Sequence, residues 1–109
     1  MDMGIRRFEI YLINLDPTVG AEINKSRPCV VISPDVMNNA LDTVIIAPLT
    51  STIRTYPSRV NCNVAGKTGQ VCLDQIRSVD QTRLYRRIGT LETGVRSYIC
   101  DVLIEMFEL

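Results

Sequence analysis

Apolar positions along this chain fall in short runs with strand-like spacing, and only the last segment changes to a helical period. Residues Phe8 to Leu15 (FEIYLINL) mix apolar and polar positions as a strand with one well-buried face does. A turn-rich segment runs from Asp16 to Ser26, punctuated by Pro17 and Gly20. Cys29 to Ser33 (CVVIS) is β-branched and nearly all apolar, which predicts a strand covered on both faces. Pro34 stops it, and Asp35 is placed to cap a single helical turn before Asn38 and Asn39. Thr43 to Leu49 predicts another buried strand, followed by a polar loop from Thr50 to Tyr56. Ser58 to Val64 reads as a more exposed strand and Ala65 to Gly69 as a hairpin turn. Gln70 to Leu73 and Ile76 to Val79 then continue the sheet.

The final segment has a different rhythm. Val95, Tyr98, Ile99, Val102, Leu103 and Met106 recur at the spacing of one helix face, with Thr93 as the expected N-cap. Many short strands closed by one amphipathic helix predict a mainly β protein of the α+β class. The expected form is a small, partly open β-barrel with a C-terminal helix packed on it, in one domain over residues 1–109. No apolar run approaches the ~20 residues that cross a bilayer. Asp2, Arg6, Arg7 and Glu9 stand where a cleaved signal peptide would need an apolar core, so a cytoplasmic protein is expected.

Composition narrows the chemistry. Hydrophobic residues make up 46% of the 109 and charged residues 22%, which is ordinary for a globular domain. The chain has no histidine, so the usual base with a pKa near 7 and the commonest metal ligand are both missing. Catalysis must then run on carboxylates, hydroxyls, arginines or thiols. Cys29, Cys62, Cys72 and Cys100 form no C-x-x-C pair and read as reduced, buried small hydrophobes. Neither a metal site nor a cofactor is expected.

Formal net charge is zero, yet its distribution is uneven. Residues 1–89 hold eleven basic against eight acidic side chains, and residues 90–109 hold one against four. Ten of the twelve basic residues are arginine, the planar cation suited to phosphates. Arg83, Arg86 and Arg87 cluster behind Arg77, either as a phosphate-facing patch or as a solvated face with ordinary ion pairs. Any grip on nucleic acid must be local, with modest and salt-dependent affinity.

Three stretches resemble a known family. The first is Asn14-Leu15-Asp16-Pro17-Thr18 leading into G-A-E-I-N-K-S-R-P-C-V-V-I-S-P from Gly20 to Pro34. The second is V-I-I-A-P-L-T-S from Val44 to Ser51, and the third is G-Q-V-C-L-D-Q-I-R from Gly69 to Arg77. Their order and spacing are similar to those of the MazF/PemK toxins, across nearly the whole chain. The resemblance implies an SH3-like barrel, a homodimer and sequence-specific, metal-independent cleavage of single-stranded RNA such as mRNA. It also implies a cognate antitoxin of the MazE class, whose acidic tail occupies the RNA groove. The family's catalytic arginine and threonine fall on Arg27 and Thr50, and its implicated loop glutamate on Glu22.

These residues suit one reaction. RNA is cut when its 2′-hydroxyl attacks the adjacent phosphorus in line, leaving a 2′,3′-cyclic phosphate and a 5′-hydroxyl. The protein supplies a base, charge for the phosphorane oxygens and a proton for the leaving oxygen. Arg27 is the candidate for the charge, Thr50 for a hydrogen bond, and Glu22 or Asp74 for the base or for orienting Arg27. Bland alternatives stand beside each: Arg27 paired with Glu22, Thr50 bonded to its own backbone, Glu22 a surface charge, Asp74 a structural acceptor. The loops 16–27 and 50–57 are expected to read the RNA, with Asn24, Lys25, Ser51, Arg54, Tyr56 and Arg77 as contact candidates. Tyr56 is placed to stack a base, whereas Tyr11 is expected to pack in the core. Rival readings are a gyrase-poisoning toxin of related fold and a silent member that only binds its antitoxin.

Overall fold

Strands β1 (Glu9–Asn14), β2 (Ser26–Val31) and β3 (Thr43–Thr50) pair antiparallel at the centre of a sheet that curls into a half-barrel. The computed structural model describes residues 4–109, so Asp2 lies outside the described residues. The remaining strands are β4 (Arg59–Val64), β5 (Lys67–Cys72), β6 (Arg77–Asp80) and β7 (Leu84–Thr90). Their order is β4-β5-β3-β2-β1-β7, with β6 paired to β3. Eight residues make β3 long enough for three partners: β2 on one edge, and β5 and β6 end to end on the other. Helix α1 (Asp35–Ala40) links β2 to β3, and α2 (Thr93–Phe107) closes the chain.

The central strands are buried on both faces. Side chains alternate along a strand, so Val30 and Ile32 join one core while Cys29 and Val31 join another. The first core adds Ile10, Leu49, Val60 and Val71, and α2 contributes Ile99 and Val102 to it. The second contains Ile13, Leu15, Val44, Ile46 and Val79. Each fully buried Ile, Leu or Val contributes ~1.5–3 kcal/mol relative to exposure. This is the two-sided cover that the CVVIS run predicts.

Several local expectations are corrected. Asp35 is the first residue of a two-turn helix rather than its cap, and Pro34 takes the N-cap position. Asn38 lies inside that helix, buried, where its amide donates to the Ser33 carbonyl at 3.0 Å. The β4–β5 turn is only Ala65-Gly66, both left-handed at φ 52° and 78°, so Lys67 to Gly69 belong to β5. Asp74 sits in a single 3₁₀ turn, Leu73–Gln75, and not in a strand. Thr93 opens α2, with Glu92 at the N-cap. Strand β7 has no counterpart in the sequence reading, because Tyr85, Arg86 and Arg87 at its middle are all exposed. Pairing with β1 holds it, with register shifts on the way. On α2, Tyr98 and Met106 are exposed despite their spacing, so Ile99 and Val102 carry the buried stripe.

No described helix is long and apolar enough to cross a membrane.

Candidate active site

The ends of β2 and β3 bring Arg27 and Thr50 to one cleft. The β2–β3 ladder ends at Cys29 and Pro48, two residues short of Arg27 and Thr50. Thr50 itself pairs with Gln70 of β5. Arg27 and Thr50 line one cleft of about 380 Å³, with Ser51, Lys67 and Thr68 and an apolar wall that includes Leu49, Val64 and Ile88.

Both side chains are held by one atom and left open at others. Arg27 is half-buried, and its Nε donates to the Asn24 carbonyl at 3.1 Å. That bond fixes the plane of the guanidinium and leaves its terminal nitrogens for a ligand. Thr50 Oγ1 accepts the Thr52 N–H at 3.1 Å, the turn bond anticipated for it, which leaves its own proton to donate. Gly69 stands against this strand end: a Cβ there would lie 2.8 Å from the Thr50 carbonyl oxygen.

A second cleft, about 400 Å³, is lined by Glu22, Asp74, Gln75 and Arg77. Pro48 lines it and Leu49 lines the first, so both clefts border the C-terminal end of β3. Glu22 is exposed, and its Oε1 accepts the Val19 N–H at 2.6 Å. Among the described residues, Arg27 and Glu22 form no ion pair. Asp74 faces Arg59 rather than Arg27, accepting from Nε at 2.7 Å and from a terminal nitrogen at 3.2 Å, with Ser58 Oγ at 3.1 Å. Partial burial would raise its pKa, but the hydrogen bonds from Arg59, its own backbone and Ser58 outweigh this and lower it. Arg77 donates to the Leu15 carbonyl at 3.0 Å and so ties down the start of the 16–27 loop.

The structure therefore gathers Arg27, Thr50 and Ser51 in one cleft, and Glu22, Asp74 and Arg77 in a second. Asn24, Lys25, Arg54 and Tyr56 are exposed on the two loops and line neither cleft. The arginine cluster is split: Arg83 donates to the Asn14 and Asp16 carbonyls, and Arg87 pairs with the buried Glu9 at 2.7 Å. Burial pushes the Cys29 and Cys62 thiols up to about 12 and about 11, so neither is a thiolate at neutral pH.

The residues that hold the loops fall outside the site predicted from the sequence. Gln70, buried on β5, grips Arg54 by both backbone groups, accepting its N–H at 3.0 Å and donating to its carbonyl at 2.9 Å. Gln75 accepts the Ile23 N–H at 2.7 Å. An amide inside the apolar run around Val71 was the available signal, since a buried amide needs partners.

Residues 6–107 match the family model described as the PemK-like, MazF-like toxin of type II toxin–antitoxin systems. The chain belongs to this family. The MazF-like chain is 34% identical to endoribonuclease MazF9 of Mycobacterium tuberculosis over 109 residues, covering 91% of this chain and 92% of that protein. It is 28% identical to endoribonuclease EndoA of Bacillus subtilis, covering 93% and 92%. Among solved structures, MazF of Deinococcus radiodurans superposes with a TM-score of 0.85 at 24% identity, over 99% of this chain and 100% of that one. An endoribonuclease in complex with its cognate antitoxin, from a mycobacterial species, gives 0.81 at 23% identity, over 96% of each. The expected fold class is thus the fold of MazF-like toxins.

Proposed function

We propose that this MazF-like chain is an endoribonuclease toxin that cuts single-stranded RNA at a short sequence, without a metal, by attack of the 2′-hydroxyl. The juxtaposition of Arg27 and Thr50 in one cleft, each with donors free, is the observation that carries the reading. Names of the relatives at 34% and 28% identity support the reaction class.

Arg27 presents its terminal N–H groups to the non-bridging phosphate oxygens, whose charge grows as the phosphorane forms. Thr50 donates its hydroxyl proton to one of the same oxygens. A guanidinium holds its proton too tightly to serve as the acid, so the role of Arg27 is electrostatic. Asp74 has both oxygens occupied and a lowered pKa, which suits support of Arg59 more than proton abstraction. The base falls to Glu22, whose Oε2 makes no hydrogen bond among the described residues. Asn24, Lys25, Ser51, Arg54, Tyr56 and Arg77 surround the two clefts or stand on the adjoining loops, where unpaired bases would be read.

The partner in this reading is an antitoxin of the MazE class with an acidic tail, because donors that hold phosphate also hold carboxylates. The toxin acts as a homodimer in the cytoplasm. The test of the chemistry is the fragment ends: RNA cut in excess EDTA should carry 5′-hydroxyls that accept label from a polynucleotide kinase without prior phosphatase treatment. Fragments with 5′-phosphates would exclude attack by the 2′-hydroxyl.

A further inference from the structure

Tyr56 stands on the 50–57 loop with 51% of its surface exposed, yet the ring is braced from one side. The Arg59 guanidinium lies over it, 5.1 Å from the ring centroid. Arg59 is itself immobilised: its side chain is only 10% exposed, and Asp74 grips two of its nitrogens at 2.7 and 3.2 Å. Ser58 Oγ donates to the same carboxylate at 3.1 Å. Backbone bonds complete the frame, from Arg59 N–H to the Tyr56 carbonyl and from Leu73 N–H to the Ser58 carbonyl, both 3.0 Å. A guanidinium forked onto a carboxylate cannot swing freely, so the ring lying on it is held as well. An isolated surface tyrosine would lose rotamer freedom on binding a ligand, and this one has lost much of it in advance.

We propose that the Tyr56 ring is a preformed stacking platform for one unpaired base of the RNA, with Arg59 and Asp74 as its positioning residues. The open face of the ring takes the base, while the cation beneath keeps the ring flat against it. Asp74 also lines the cleft that contains Glu22, so the platform stands at the margin of the site. Stacking has no hydrogen-bond code and selects by ring area, so the platform favours a purine over a pyrimidine at one position near the cut. This inference rests on the ribonuclease reading, and its test separates the two.

A long RNA of mixed sequence is cleaved by wild type, Tyr56→Phe, Tyr56→Leu and Asp74→Asn, all cut sites are mapped, and KM and kcat are measured on the best-cut oligonucleotide. Melting temperatures are recorded alongside. Tyr56→Phe should keep the wild-type map. Tyr56→Leu should flatten the purine preference at one position and raise KM roughly 5- to 150-fold, with the loss in KM rather than kcat. Asp74→Asn should shift the map and KM in the same direction by less, since the ring remains. Because Tyr56 is exposed, its variants report even where Asp74→Asn unfolds. An unchanged map and KM in Tyr56→Leu overturns the platform while leaving the ribonuclease intact. So does a fall in kcat with unchanged KM in Asp74→Asn, which would put Asp74 in the reaction itself. Uncut RNA with wild type overturns the ribonuclease reading and the platform with it.

Discussion

Gly69 and Thr50 meet where β5 turns alongside the end of β3, and a Cβ on residue 69 would lie 2.8 Å from the Thr50 carbonyl oxygen. Backbone cannot retreat from such a contact as a flexible side chain can. The glycine that looks like a turn residue in the sequence is therefore a spacer that lets β5 approach the strand end that carries Thr50. Gly69→Ala should destabilise the fold by ~1–3 kcal/mol and slow cleavage by displacing Thr50. Gly89→Ala is the control, since a Cβ there meets nothing within 4 Å. Thermal unfolding and cleavage rates of the two variants check this.

Thr50 is held through its oxygen and, in the proposed mechanism, acts through its proton. Thr50→Ser keeps both and should retain most of the activity. Thr50→Val keeps the shape and loses the donor, so its rate should fall by about 10²–10³. Single-turnover cleavage rates distinguish them, and equal activity in Thr50→Val would remove the hydroxyl from the mechanism.

Glu22 accepts the Val19 N–H through one oxygen, a bond that an amide oxygen can also accept. Glu22→Gln should thus preserve the loop while removing the proposed base, with cleavage slowed by about 10²–10⁴. A wild-type pH–rate profile in this variant would return Glu22 to a loop-holding role.

Two carboxylates make the fold acid-sensitive. Burial alone would raise the pKa of Glu9, but hydrogen bonds from the Arg6 backbone, Arg87 and Tyr11 hold it below its ordinary 4.5. Asp74, held by Arg59, lies below its ordinary 3.8. A carboxylate with a lowered folded pKa contributes its full stability above the unfolded value and loses it as pH falls through the folded one. Melting temperature should therefore be flat near neutrality and drop below about pH 4.5. Glu9→Gln should cost ~1–3 kcal/mol at pH 7 and flatten part of that acid slope, because the buried partner of Arg87 no longer titrates. Melting curves of both proteins between pH 7 and pH 3 test it.

Where burial produced a strong pattern, the sequence was readable. Cys29 to Ile32 had to be covered on both faces because alternate residues are all apolar, and the two cores meet across them. The period of α2 was legible for the same reason, though Tyr98 and Met106 show that spacing alone does not bury a residue. Strand β7 escaped because its arginines and tyrosine face solvent, and its pairing with β1 is a tertiary fact. At the site, motif residues Arg27 and Thr50 were legible from resemblance, and the fold brings both to one cleft. The contacts of Asp74 with Arg59 and of Gln70 with Arg54 span fifteen and sixteen residues along the chain. Only the folded β4–β5 hairpin makes them neighbours.

The most direct test of the Arg27–Thr50 cleft is single-turnover cleavage of a long single-stranded RNA in excess EDTA by wild type, Arg27→Ala and Thr50→Ala. Cleavage by wild type, reduced at least about a hundredfold in each variant with the melting temperatures retained, is the expected result. Cleavage that needs a divalent cation, or that survives both substitutions, would place the chemistry elsewhere on the molecule.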